Sequence, residues 1–208
     1  MSDPARTAVI VAAKRTPIGR FLGGLGSLPA TDLGGRAIRA ALDQVDFDRN
    51  DIGDVYMGNV VSAGLGQAPA RQAALAGGVP DTVGAMAISR VCGSGLQAVM
   101  SSAQAIKAGD EQVMVAGGME SMSGMPYYVF GMRTGVKFGT QELVDGLIHD
   151  GLWCAFGQCH MGGHAEYTAD KAGITREEAN QFALESHQKA VAAQEGGKFD
   201  AEIVPIEI

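Results

Sequence analysis

Short apolar runs, alternating with helix-periodic segments, constrain this chain more than any other feature. Residues 8–13 form one such run, 55–61 a second, 85–91 a third and 112–116 a fourth, the last ending in Gly117-Gly118. Runs of four to eight apolar residues bounded by turn signals read as strands buried in a sheet. Between them the period changes. Leu33, Ala37, Ile38, Ala41 and Leu42 recur on one helical face, with Thr31 or Asp32 as the expected cap and an end near Gln44. Pro69 opens a second helix over 70–76, which Gly77-Gly78 and Pro80 close. Leu96, Val99, Met100, Ala103 and Ile106 mark a third, stopped by Gly109. Strand and helix in strict alternation predict an α/β fold, a mainly parallel sheet covered by helices on both faces. Reactive loops of such sheets lie at the carboxyl ends of the strands.

After Gly118 the pattern changes. The stretch 119–128 is methionine-rich (Met119, Met122, Met125), and 131–139 is a glycine-spaced loop carrying Arg133 and Lys137. Thr175 and Glu178 form a capping-box signature before a helix whose expected inner face is Ala179, Phe182, Ala183, Ser186 and Ala190. The end, 201–208, is apolar and strand-like, and calls for a strand partner elsewhere in the fold or in a larger assembly.

Composition excludes several classes. With 46% hydrophobic residues and a mean hydropathy of +0.07, the 208-residue chain can bury a core. A net charge of −7 argues against a nucleic-acid binder. Three cysteines at irregular spacing make no disulfide framework and point to a reducing compartment. Neither a leader-type segment nor a membrane-length apolar run is seen, so a soluble cytoplasmic protein is expected. No dinucleotide fingerprint or phosphate-loop lysine is present. His160 and His164 lie four apart, but glycines separate them and the glutamate of a zinc-protease helix is missing, so no metal site is expected. Cys154 and Cys159 read as small packing residues, His164 as a surface or turn histidine, and His187 as solvent-facing.

Cys92 stands apart. The segment Val91-Cys92-Gly93-Ser94-Gly95-Leu96 places one thiol between a strand and a helix. There it meets the unpaired N–H groups and positive dipole end of the helix's first turn, which favour a thiolate. Two glycines let a substrate approach the backbone closely. This is a local design for nucleophilic acyl transfer. A small buried thiol in a tight turn fits the same six residues equally well.

Several stretches in order resemble the N-terminal half of a thiolase, of the acetyl-CoA acetyltransferase type. They are 14–19 (KRTPIG), 58–60 (GNV), 64–72 (GLGQAPARQ), 91–96 (VCGSGL), 115–123 (VAGGMESMS), and His160-Met161-Gly162 with Ala165-Glu166. The resemblance implies that Cys92 is the residue acylated by a thioester and that its backbone N–H helps form an oxyanion hole. It implies that His160 and Met161 line the acyl and pantetheine end of the site, with Leu152 beside the same arm. It implies a core domain over 1–120 and the start of a loop domain over 121–208. The loop from Met119 to Phe138 then resembles the one through which family members form tetramers. No cofactor is implied; coenzyme A thioesters are substrates. Thiolases are about twice this length, and their Gly-His-Pro histidine and Cys-x-Gly-Gly-Gly cysteine have no counterpart here. The chain is therefore expected to act with a complementary C-terminal half, or to be a truncated or cleaved piece of a longer enzyme, in a homo- or hetero-tetramer, on acetyl-CoA or another acyl-CoA. A non-catalytic assembly module is the alternative. A ketoacyl synthase is a weaker one, opposed by the 115–123 and 160–162 segments.

Overall fold

A computed structural model describes residues 7–208; residues 1–6, which open the expected first domain, lie outside it. The core is a parallel sheet of three strands, β1 (Ile52–Gly58), β2 (Gly84–Ile88) and β3 (Val113–Gly118), in the order β2-β1-β3. Helices α1 (Ala30–Leu42), α2 (Pro69–Ala76) and α3 (Ser94–Ala108) alternate with them. The mixed α/β architecture with a helix-covered parallel sheet is the one the alternating pattern predicts.

β1 is the central strand and carries the deepest side chains, Val55 and Met57. Around them Ile38, Leu42, Ile52, Ala73, Ala74, Val79 and Val83 form one hydrophobic cluster. Small residues set how closely the elements approach. On α1, a Cβ at Gly35 would sit 2.8 Å from Ala76 Cβ, and one at Gly34 would sit 2.9 Å from Met119 Sδ. Two helices packed this tightly leave no room for a methyl group at the contact. Gly109 closes α3 with φ 91°, the left-handed C-cap that glycine adopts without cost.

Three expectations are corrected. Residues 8–13 are no strand: Val9, Ile10 and Val11 are 72–78% exposed. An apolar run supplies β-propensity, but a strand needs a ladder partner. Among the described residues of this segment only Arg15 finds one, its N–H donating to Glu202 O at 2.9 Å and its carbonyl accepting from Val204 N at 2.9 Å. Among the described residues that single bridge is all the strand pairing the apolar end 201–208 receives. Secondly, β2 ends at Ile88 rather than 91 and is largely exposed, with Met86 at 46%. It is the edge strand, so only its β1 side is paired. Thirdly, α1 starts at Ala30 on Pro29, with no side-chain cap, and Thr31 lies buried within the helix.

Beyond β3 the elements are small. Two-residue strands β4 (Tyr127–Tyr128) and β5 (Val144–Asp145) pair antiparallel, and a π-helical turn spans Leu147–Leu152. A second antiparallel hairpin, β6 (Trp153–Cys154) and β7 (Cys159–His160), leads into α4 (Met161–Ala172). Helix α5 (Arg176–Glu195) has the full capping box expected at Thr175 and Glu178. Neither α4 nor α5 contains a buried residue, so the expected inner face of α5 has no cover among the described residues. Among the described residues no helix is long and apolar enough to cross a membrane.

Candidate functional site

The carboxyl ends of the three strands meet at one place. A Cβ on Gly58, the last residue of β1, would overlap the backbone of Ser94 and Gly95 at the start of α3. Gly118, the last of β3, would likewise place a Cβ 3.3 Å from Gly95 Cα. Glycine at 58 therefore lets a helix N-terminus rest directly on the end of β1, an approach that a side chain there would block, and Gly118 leaves only a tight fit beside it.

β2 reaches the same point through a strained turn. After Ile88 the chain passes Ser89 and Arg90 and enters Val91 with φ 49°. Left-handed backbone is costly for a β-branched residue and persists only where the surroundings enforce it. Here Ser94 enforces it. Its buried hydroxyl accepts from Arg90 N at 2.8 Å and donates to Val91 O at 2.6 Å. The turn turns Cys92 outward, and its thiol is free and exposed. α3 begins immediately afterwards with no side-chain cap and no acidic residue in its first turn. Ser94 N–H is paired with Val91 O at 3.1 Å, and an anion at this position meets the positive end of the helix dipole with no acidic side chain opposing it.

Cys92 faces a cavity of about 380 Å³. Its walls include Gly58 at the end of β1 with Val60 and Val61 beyond it, Gly118 at the end of β3 with Met119 and Glu120 beyond it, and Leu147, Gly151 and Leu152 of the π-helical turn. The lining is mainly apolar, with Glu120 the one ionisable wall residue besides the thiol. Burial pushes the Glu120 carboxyl above its ordinary value, while hydrogen bonds from Val60 N–H, Val61 N–H and the Asn59 amide pull it back. Those donors lie at 2.9, 3.0 and 2.7 Å. Asn59 also donates to Met119 O at 3.1 Å. With its oxygens so engaged, Glu120 ties the loop after β1 to the end of β3 and fixes the cavity wall.

The structure thus brings Cys92 and Leu152 to one cavity. It does not bring His160 and Met161 to that wall. His160 ends β7 and caps α4, its Nδ1 accepting from Gly162 N at 3.1 Å, and Met161 is the first residue of α4. Sequence reasoning missed Glu120 as a wall residue. Its signal was its place two residues beyond the Gly117-Gly118 end of β3, where an acidic side chain meets the loop after the neighbouring strand. Among the described residues no group of three or more His, Cys, Asp or Glu side chains could hold a metal ion. His187 is exposed, as expected. His164 lies on α4, and its imidazole hydrogen-bonds Cys154.

The profile of the thiolase N-terminal domain matches residues 8–208. The chain belongs to the thiolase family. It is 52% identical over 200 residues to an acetyl-CoA acetyltransferase of Pseudomonas aeruginosa, covering 96% of this chain and 51% of that protein. It is 51% identical over 203 residues to acetyl-CoA acetyltransferase 2 of Arabidopsis thaliana, covering 98% and 50%. A probable acetyl-CoA acyltransferase of Staphylococcus aureus is 47% identical over 200 residues, covering 96% and 51%. This thiolase-family chain therefore spans about half the length of the curated relatives it matches, their N-terminal half.

Proposed function

We propose that this chain carries the acyl-accepting half of a thiolase reaction, with Cys92 as the nucleophile and acetyl-CoA or another acyl-CoA as donor. One observation carries the reading: an exposed thiol on a strained strand-to-helix turn, at the mouth of a cavity formed by the strand carboxyl ends. In the acylation step the Cys92 sulfur attacks the thioester carbonyl, a new C–S bond forms, and the coenzyme A thiolate leaves. The negative charge that develops on the carbonyl oxygen is met by N–H groups at the α3 N-terminus, that of Cys92 included. A donor of this kind contributes about 3 kcal/mol to a transition state of acyl transfer. An acyl-enzyme splits the transfer between two thioesters into two easier steps.

The second step, carbon–carbon bond formation or its reversal, needs a base and a further oxyanion site. Glu120, held by three donors, is a strut rather than that base. The base then comes from a complementary C-terminal half, and the working unit is a tetramer joined through residues 119–138. Leu152 forms the wall beside the acyl arm. His160 and Met161 line the pantetheine end once the second half completes the site. The division is a core domain over 1–120 and the start of a loop domain over 121–208.

Mass spectrometry after incubation with acetyl-CoA and the complementing half tests this. An acetyl group is expected on Cys92 and is expected to vanish in Cys92→Ser. Label on Cys159 with Cys92 untouched would overturn the assignment. The assembly-module reading draws on exposed Phe130, Met132 and Phe138 in the 119–138 loop. Stable self-association without thiolysis by the combined halves would favour it.

A further inference from the structure

The two remaining cysteines make a second thiol site, on elements separate from the Cys92 turn. Cys154 and Cys159 are direct cross-strand partners in the β6–β7 hairpin. Directly opposed residues of an antiparallel pair have Cα atoms about 4.5–5.5 Å apart, within the range a disulfide spans. Both sulfurs also converge on the first turn of α4. A Cβ built at Gly163 would lie 3.9 Å from Cys159 Sγ, and the neighbouring His164 bonds to Cys154. Both thiols are free and half-buried.

The loop between them is shaped around Cys154. Gly157 N–H donates to Cys154 Sγ at 3.2 Å, and Gln158 N–H to Cys154 O at 2.8 Å. Gln158 is held at φ 49° to achieve this. A Cβ at Gly157 would sit 2.9 Å from His164 Nε2 and 3.4 Å from Cys154 Sγ, so a larger residue there would push the imidazole away from the thiol. Hydrogen bonds from Gly157 and then from His164 lower the Cys154 thiol below its ordinary value. Phe156, at the hairpin tip, is 99% exposed, so a small reagent can reach this loop from solvent.

We infer that Cys154 and Cys159 form a reversible disulfide by exchange with a low-molecular-weight disulfide such as oxidised glutathione, Cys154 attacking and Cys159 resolving. In the first step Cys154 thiolate forms an S–S bond to one glutathione sulfur, the reagent's own S–S bond breaks, and glutathione thiolate leaves. In the second step Cys159, having given up its proton to solvent, attacks Cys154 sulfur and expels the second glutathione. Two protein thiols are oxidised and one glutathione disulfide is reduced to two thiols. Cys154 is assigned the attack because its sulfur already accepts the Gly157 N–H, a contact that favours the thiolate. This inference is independent of the acyl chemistry at Cys92.

The test is intact-mass and peptide mapping of the 208-residue chain under non-reducing conditions after treatment with oxidised glutathione. The wild type is expected to lose the mass of two hydrogens and to give one cross-linked 154–159 peptide that dithiothreitol reopens. Cys159→Ser is expected to hold a stable glutathione adduct on Cys154. Cys154→Ser is expected to take up glutathione at Cys159 at least about tenfold more slowly. Stable adducts on both cysteines of the wild type, or a link from either one to Cys92, would overturn the proposal. Equal rates in the two serine variants would overturn the order of attack.

Discussion

Helices α1 and α5 make an instructive pair. α5 has the stronger local start, with a complete capping box at Thr175 and Glu178 and two acidic residues in its first turn. α1 starts on Pro29 with no side-chain cap. Yet α1 buries Ala30, Thr31, Gly34, Gly35, Ile38 and Leu42, whereas α5 buries nothing over 20 residues. Capping decides where a helix begins; burial decides how much the tertiary fold holds it. The same contrast divides the chain as a whole. From α1 to β3, helices and strands bury one another around Val55 and Met57. After β3 the strands are two residues long and the helices lie open.

The largest test of this contrast compares a core side chain with an exposed one. Met57→Ala, in the center of β1, is expected to cost about 2–5 kcal/mol by urea denaturation, the range for emptying a buried aliphatic site. Phe182→Ala on α5, where the ring is 77% exposed, is expected to cost less than about 0.5 kcal/mol in the same chain. A Phe182→Ala cost above about 1 kcal/mol would mean that α5 is packed in solution and would remove the contrast.

A smaller effect separates capping from burial within α5 itself. Thr175 Oγ1 accepts from Glu178 N at 3.2 Å and donates to Glu178 Oε2 at 3.0 Å. Thr175→Ala removes both bonds, at a typical cost of about 1 kcal/mol to the helix start. With no buried face to hold the first turn, the loss is expected as faster amide exchange over residues 177–181, with exchange in β1 unchanged. Unchanged exchange in α5 would show that something other than the cap secures it.

What was legible in the sequence follows from how local each signal is. The Pro69 start, the Gly109 stop and the Thr175-Glu178 box are set within a few residues, and all three stand in the structure. The turn at Cys92 was legible for the same reason, as glycines and a thiol between two periods. Its strain was not, because φ at Val91 depends on what Ser94 holds in place. Pairing was not legible either. Residues 8–13 and β2 have comparable apolar runs, but β2 lies beside β1, whereas among the described residues no strand pairs with 8–13. Glu120 became visible as a wall only once β1 and β3 were neighbors, since its three donors lie some 60 positions away in the chain.

The finest comparison sets two glutamates against each other. Glu120 belongs to the core, and burial raises its carboxyl above 4.5 despite donors from Val60, Val61 and Asn59. Glu178 belongs to the open helix, and hydrogen bonds from Thr175 N–H and then its hydroxyl lower it below 4.5. The two residues therefore act on stability in opposite pH windows. A raised acid binds its proton more tightly when folded, so the Glu120 contribution is full below pH 4.5 and is lost as pH rises through its folded midpoint. A lowered acid does the reverse, so the Glu178 contribution is present above pH 4.5 and is lost as pH falls through its folded midpoint. Side-chain carboxyl shifts followed by NMR across this range are expected to place the Glu120 midpoint above 4.5 and the Glu178 midpoint below it. A Glu120 midpoint at or below 4.5 would mean that its three donors outweigh burial. The Cys92 cavity would then have a wall stabilised by the charge it carries at neutral pH, rather than one that holds its shape at the expense of that charge.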